Sequence, residues 1–296
     1  VAARRERPSH PSRAVLSREI RRRLALMAAG AGLLVLLAGA AGLLVMYSGV
    51  YDISAIEQHT APVYRALEIG MRNAVRRRAA GIETPPLDDE ALVRRGLRCF
   101  HDNCVQCHGG PGIAPADIAK GLQPVPSSLA QTARDWRPAE LYWVTRNGIK
   151  MAGMPAWAYR MSERDLWATV AFLERLPHLG VREYRELLDT VAEEACMQPE
   201  GEHEADPRRG LAALRQYACH GCHRIPGIRG PDVYVGPPLE RFAERAYIAG
   251  VLPNTRENLV RWITKPQSVS PLTLMPDLGV TEAHAHDMAA YLESLR

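Results

Sequence analysis

Two short stretches of the 296-residue chain read Cys104-Val105-Gln106-Cys107-His108 and Cys219-His220-Gly221-Cys222-His223. The chemistry that needs Cys-x-x-Cys-His is the attachment of c-type haem. Two thiols two residues apart on a helical turn can each add to a vinyl group of one porphyrin. The histidine that follows then lies beneath the iron and offers it an imidazole nitrogen. Composition alone predicts roughly 0.004 such matches by chance, and there are two. A zinc site fits less well, because the cysteine pairs lie more than a hundred residues apart and each trailing histidine is left unexplained. A thioredoxin-like site needs a βαβ pattern, which the flanks lack, and a disulfide across two residues makes a tight loop. The reading is two covalently bound haem c groups, with His108 and His223 as iron ligands.

A six-coordinate iron needs a second axial ligand. A thioether is soft and neutral, and it raises the reduction potential relative to paired imidazoles. Met154-Pro155 follows the first motif, and Met275-Pro276 stands 52 residues past His223. The proline restricts the chain beside the sulfur. Met154 and Met275 are therefore the candidate distal ligands. Met151 lies in the same loop as Met154 and is its rival, and core filling is the alternative role for any of the three.

The elements that would position these groups also repeat. Arg94-Arg95-Gly96-Leu97 precedes the first motif and Arg208-Arg209-Gly210-Leu211 the second, with eight and nine residues from glycine to cysteine. Helical patterns over 165–176 and 283–295 follow the methionines, containing Ala171-Phe172-Leu173-Glu174 and Ala290-Tyr291-Leu292-Glu293. Strand signals are few. The chain holds two copies of one plan, and the fold class is all-α with long ordered loops.

Ahead of both copies, residues 24–51 carry no charge. At about 1.5 Å per residue they make a helix of roughly 42 Å, enough to span a hydrocarbon core of about 30 Å. Eight arginines precede the run (Arg4, Arg5, Arg7, Arg13, Arg18, Arg21, Arg22 and Arg23), and the first charge beyond it is Asp52. The positive-inside rule puts the N-terminus in the cytoplasm and residues 52–296 outside. A cleaved signal peptide would have an apolar region of only about 7–15 residues, so an uncleaved anchor is expected. The formal net charge of +4 therefore reports topology. Residues 1–50 hold eight basic and two acidic side chains, whereas 178–206 hold two basic and nine acidic. No nucleic-acid partner is expected.

Residues 60–78 read as an amphipathic helix, capped by Thr60, with Val63, Leu67, Met71 and Val75 on one face and Arg76, Arg77 and Arg78 at its end. Packing on a partner is preferred to lying on the membrane surface. Residues 181–195 also have helical spacing, through Val181, Tyr184, Leu188, Val191 and Ala195. An acidic linker with Glu200, Glu202 and Glu204 follows, read as a solvated hinge. Cys99 and Cys196 are left over: outside the cytoplasm a disulfide between them is allowed, and simple burial of Cys99 is the alternative. His101, His220, His284 and His286 are assigned surface or structural roles.

These motifs resemble the class I cytochrome c family, in tandem and behind a membrane anchor. The segment Gly148-Ile149-Lys150-Met151-Ala152-Gly153-Met154-Pro155-Ala156-Trp157 looks like a pattern of bacterial membrane-bound cytochromes c, and the second copy is similar to cytochrome c domains found with haem-copper oxidases. The resemblance implies that the first and last helices of each copy cross at Gly96 with Phe172 and at Gly210 with Tyr291. It implies that Pro237, in Gly236-Pro237, offers its carbonyl to the second proximal imidazole, and that Trp262 stands beside the distal sulfur of Met275. In the first copy Gly110-Pro111 lies much closer to its motif, so this carry-over is weaker there. The organisation that follows is a basic cytoplasmic segment (1–23), a transmembrane helix (24–51), a juxtamembrane helical segment (52–90), a first cytochrome c domain (91–177), a helical and acidic linker (178–206) and a second cytochrome c domain (207–296). The expected function is a dihaem relay at a bacterial inner membrane, with its haem domains in the periplasm. Its expected donor is a quinol-oxidising complex or a periplasmic dehydrogenase, and its acceptor a terminal haem-copper oxidase, of which it could be a subunit. A peroxidase-like enzyme with one open haem and a docking subunit are the alternative readings.

Overall fold

The computed structural model describes residues 13–191, 196 and 204–296. Arg4, Arg5 and Arg7, and Ala195, Glu200 and Glu202, lie outside the described residues. The described chain is mostly helical with almost no strand. In order it forms α1 (Arg13–Ser48), α2 (Ala61–Ala79), α3 (Glu90–Asn103), α4 (Val105–His108), α5 (Leu129–Asp135), α6 (Pro138–Asn147), α7 (Glu163–Arg175), α8 (Val181–Leu188), α9 (Pro207–Gln216), α10 (Arg256–Thr264), α11 (Pro266–Val269) and α12 (Glu282–Glu293). A single antiparallel pair, β1 (Tyr247–Ile248) with β2 (Leu252–Pro253), interrupts the helices among the described residues. The chain divides into two compact units, one ending at Gln58 and the other beginning at His59.

The first unit is dominated by α1. From Arg18 to Ser48 it is long and apolar enough to cross a membrane, and none of that span is covered by other residues. It stops at Gly49, whose φ of +66° is the left-handed conformation that ends helices. The apolar helix therefore ends three residues before the expected boundary at 51.

In the second unit, α2 begins where the periodicity places it. Thr60 occupies its N-cap, but its hydroxyl makes no capping bond, contrary to the expectation. Its carbonyl instead accepts the first helical bond, from Tyr64 N–H at 2.9 Å, and a proline in the first turn removes a donor that would otherwise need a partner. Val75 and Ala79 are buried. The Arg72 guanidinium lies 5.5 Å from the centre of the Trp136 ring, and that of Arg78 lies 5.9 Å from Trp143 on α6. The amphipathic helix thus packs on its own chain.

The buried apolar side chains of this unit fall into two clusters. One gathers Leu97, Phe100, Leu166, Phe172 and Tyr184, and the other Leu214, Phe242, Leu259, Met288 and Leu292. Each is built on a pair of crossing helices, α3 with α7 and α9 with α12. Hydroxyls cap the later helix of each pair in the same way: Ser162 accepts from Asp165 N–H at 3.1 Å, and Thr281 from His284 N–H at 3.3 Å. The crossings depend on glycine. A Cβ on Gly96 would lie 1.8 Å from the Ala168 carbonyl oxygen and 2.9 Å from Phe172 Cβ; on Gly210 it would lie 2.0 Å from the Asp287 carbonyl oxygen and 3.0 Å from Tyr291 Cβ. The arginine before each glycine ties the same pair of helices together. Arg95 grips the buried Asp165 at 2.7 Å, and Arg209 grips the buried Asp287 at 3.1 Å. The two clusters meet where the Tyr159 ring lies tilted against His284, 5.4 Å between centres, and Arg160 lies 5.8 Å over Tyr217.

Gly96→Ala and Gly210→Ala should each destabilise the chain by about 2–3 kcal/mol, because the obstructing atoms are backbone and cannot turn away. Gly81→Ala, with no atom within 4 Å of its new Cβ, should stay within about 0.5 kcal/mol of the parent. Thermal denaturation of the detergent-solubilised protein compares the three.

Candidate haem sites

Helix α3 ends at Cys104, and the chain tightens there into the single turn α4. Cys107 N–H and His108 N–H both donate to the Cys104 carbonyl, at 3.1 and 2.9 Å, so both thiols and the imidazole issue from one turn. Gly109, at φ +66°, then turns the chain out. Helix α9 leads to the second motif in the same way, with Ala218 at φ +57° directing the chain into the turn. There Cys222 N–H and His223 N–H donate to the Cys219 carbonyl, at 3.2 and 2.9 Å.

None of Cys104, Cys107, Cys219 and Cys222 is disulfide-bonded. Burial pushes the Cys104 thiol up to about 12, with Cys107 adding a smaller effect, and burial pushes Cys219 up to about 11. These are environments for neutral thiols that become thioethers, and they suit zinc thiolates poorly.

Each imidazole is oriented from behind by a backbone carbonyl. The carbonyl can only accept, so Nδ1 carries the proton and Nε2 is left to coordinate. For His223 the acceptor is Pro237 O at 2.8 Å, as the resemblance implied. Gly236 forms the cradle: a Cβ there would lie 2.4–2.8 Å from three atoms of the His223 ring. For His108 the acceptor is Ser127 O at 2.7 Å, a residue the sequence reading missed. Gly110, beside Pro111, exchanges backbone bonds with Ile113 at 2.9 Å and takes no part in holding the ring. The accepting carbonyls lie 19 and 14 residues past their histidines, and the unequal spacing hid the correspondence. The one shared signal is a proline next to or at the carbonyl, Pro126 before Ser127 in the first copy. Burial lowers the His108 pKa, opposed in part by the Ser127 carbonyl, which favours the neutral, ligating form.

Met154 and Met275 are both half-buried. Met275 is fixed through its backbone: its carbonyl accepts from Gln267 Nε2 at 2.7 Å, and its N–H donates to Thr273 Oγ1 at 3.2 Å. Met151, the rival of Met154, is 98% exposed and takes a left-handed φ of +58°. Trp262 is half-buried on α10 against the second cluster, and Pro237 is exposed apart from its carbonyl bond.

A cavity of about 390 Å³ opens beside His108 and one of about 410 Å³ beside His223. The second is also lined by His220, whose buried Nδ1 has no hydrogen-bond partner. Free thiols, carbonyl-held imidazoles and adjoining cavities together fit a covalently bound haem at each turn. Two further histidines are structural: His101 bonds the Tyr184 hydroxyl at 3.0 Å and His284 that of Tyr217 at 3.0 Å. Cys99 and Cys196 form a disulfide. Asp165 lies beside it within metal-binding reach, but the two sulfurs are bonded to each other and the carboxylate to Arg95, so no metal site results.

Residues 91–173 match the family model described as cytochrome C oxidase, cbb3-type, subunit III. A cytochrome c oxidase subunit 2 of Alkalihalophilus pseudofirmus is 33% identical over 113 residues, covering 38% of this chain and 32% of that protein. A cytochrome c oxidase subunit 2 of Bacillus sp. strain PS3 is 33% identical over 88 residues, covering 28% of this chain and 25% of that protein. The matched region thus spans a third or less of each relative. A cytochrome c domain similar to those of oxidase subunits is present, and it implies covalently bound haem c.

Gly236→Ala should push the His223 imidazole off its carbonyl and convert one haem signal from low to high spin. Gly221→Ala, which meets no atom within 4 Å, should leave the spectrum intact. Electron paramagnetic resonance of the oxidised protein distinguishes the two outcomes.

Proposed function

We propose that this chain is a membrane-anchored dihaem c-type cytochrome that passes single electrons towards a terminal haem-copper oxidase. The observation that carries this reading is the repetition of one device: a one-turn thiol pair followed by an imidazole whose Nδ1 is bonded to a backbone carbonyl, at His108 and again at His223. Residues 91–177 and 207–296 are read as two class I cytochrome c domains.

Haem bound at these turns supplies an iron that gains and loses one electron. The chain does the rest. Cys104, Cys107, Cys219 and Cys222 tether the groups covalently, so they are retained on release from any partner. His108 and Met154 would hold the iron of the first group, and His223 and Met275 that of the second. The exposure of Met151 supports Met154 as the first distal ligand. Held by a histidine and a methionine of the chain, each iron would have no coordination site left for a substrate, which favours a relay over a peroxidase-like enzyme.

The arginines ahead of the apolar helix support a cytoplasmic N-terminus at a bacterial inner membrane and periplasmic haem sites. The names of the relatives point to an oxidase as the acceptor or as the complex of which this chain is a subunit. The donor is read as a quinol-oxidising complex or a periplasmic dehydrogenase.

Haem analysis of the purified full-length chain should give two haems per polypeptide, both low-spin at rest. One haem per chain would overturn the dihaem reading, and a resting high-spin haem would favour the enzyme. Met154→Ala should abolish the methionine–iron absorption band of one haem, and Met151→Ala should leave both bands in place.

A further inference from the structure

The two cavities beside the proximal imidazoles have different walls. Beside His223 the lining includes Arg224, Asp232 and Glu240, all from nearby loops. Beside His108 the histidine is the only ionisable group in the lining among the described residues, and one side of the cavity is Leu176, Pro177, Leu179, Gly180 and Val181. Those five residues follow α7, in and beside the stretch that the sequence reading treated as a linker.

This stretch is built into the first cluster. Val181 packs so closely on Gly112 that a Cβ there would meet its Cγ1 at 2.7 Å. Three residues on, Tyr184 is fully buried, edge-on to Phe100 at 6.4 Å between ring centres and tilted against Phe172 at 6.3 Å. Its hydroxyl is bonded to His101. Arg134 donates to the Pro177 carbonyl at 3.0 Å. Leu179, Leu187, Leu188 and Val191 lie against the cluster. At the far end the disulfide joins buried Cys196 to Cys99 on α3, five residues before the first haem cysteine.

We propose that residues 176–191 are a wall of the first haem site, steadied by the Cys99–Cys196 disulfide, and that this wall raises the potential of that haem by excluding water from its proximal side. The proposal rests on the dihaem reading. The physical ground is that ferric haem carries one more positive charge than ferrous haem. An apolar, dry surrounding therefore disfavours the oxidised form. At the second site the corresponding lining, among the described residues, carries charged groups instead.

The test is a potentiometric titration of the full-length, haem-loaded protein, followed by absorbance. Met275→His in the parent marks the wave of the second site, because paired imidazoles lower the potential. In the Cys99→Ser/Cys196→Ser double variant the other wave should move to lower potential, with haem content unchanged. Should that variant fail to load haem, Val181→Asn tests the wall with the disulfide in place and should move the same wave in the same direction. Unmoved waves in haem-replete protein, or movement confined to the second site, would overturn the proposal. A parent that binds one haem defeats the dihaem reading instead. The wall then survives only if that single wave still moves in the variants.

Discussion

The approach of two backbones at Gly96 and at Gly210 is the constraint on which both Cys-x-x-Cys-His turns depend. At each crossing a helix carbonyl occupies the volume that any side chain would fill. The helices can slide neither apart nor along each other without losing that contact, and the flanking ion pairs, Arg95 with Asp165 and Arg209 with Asp287, lock the rotation. Because α3 and α9 are fixed in this way, the points where they release the chain into the cysteine turns are fixed too. The imidazole then needs one further restraint, the carbonyl behind it, and the loop after each motif supplies that.

Much of this was legible in the sequence because it repeats. Two copies of Arg-Arg-Gly-Leu, two Cys-x-x-Cys-His motifs and two Met-Pro pairs set the plan, and the helices follow it to within a few residues. The apolar stretch and the amphipathic helix were also legible, since each announces itself by period and length. What the sequence hid depends on loop length. The carbonyl behind His108 comes from Ser127, not from the nearer Gly110-Pro111, because any backbone carbonyl can serve and the fold alone selects it. The Thr60 cap failed for a related reason: the residue type permits a hydroxyl bond, but the local backbone does not deliver one. Pairing of Cys99 with Cys196 could not be preferred over simple burial until residues 97 apart in sequence were brought together.

The copies also show how far one plan can drift. Ala168 and Asp287 occupy the same position against their glycines, yet one is apolar and the other carries the charge that binds the neighbouring arginine. In the first copy that charge sits three residues earlier, on Asp165, where the second copy has His284. The arginine is kept while its partner shifts by one helical turn, and His284 is freed to meet Tyr217 and Tyr159 where the clusters join. The chemistry at the motifs tolerates this exchange because it draws on backbone geometry, which both arrangements preserve.

The docking of α2 on α6 has a consequence for encounter. Helix α2 is pinned by Arg72 and Arg78 on tryptophan faces, so it belongs to the body that carries the haem motifs. Between Ser48 and Ala61 only twelve residues are left as a leash, and fully extended they reach about 40 Å. Under the proposed function, with α1 in a bilayer, this linker keeps the carrier tethered to the membrane. A tethered carrier meets a membrane-bound partner at an effective concentration set by tether length, so loose binding at each encounter is enough for rapid turnover.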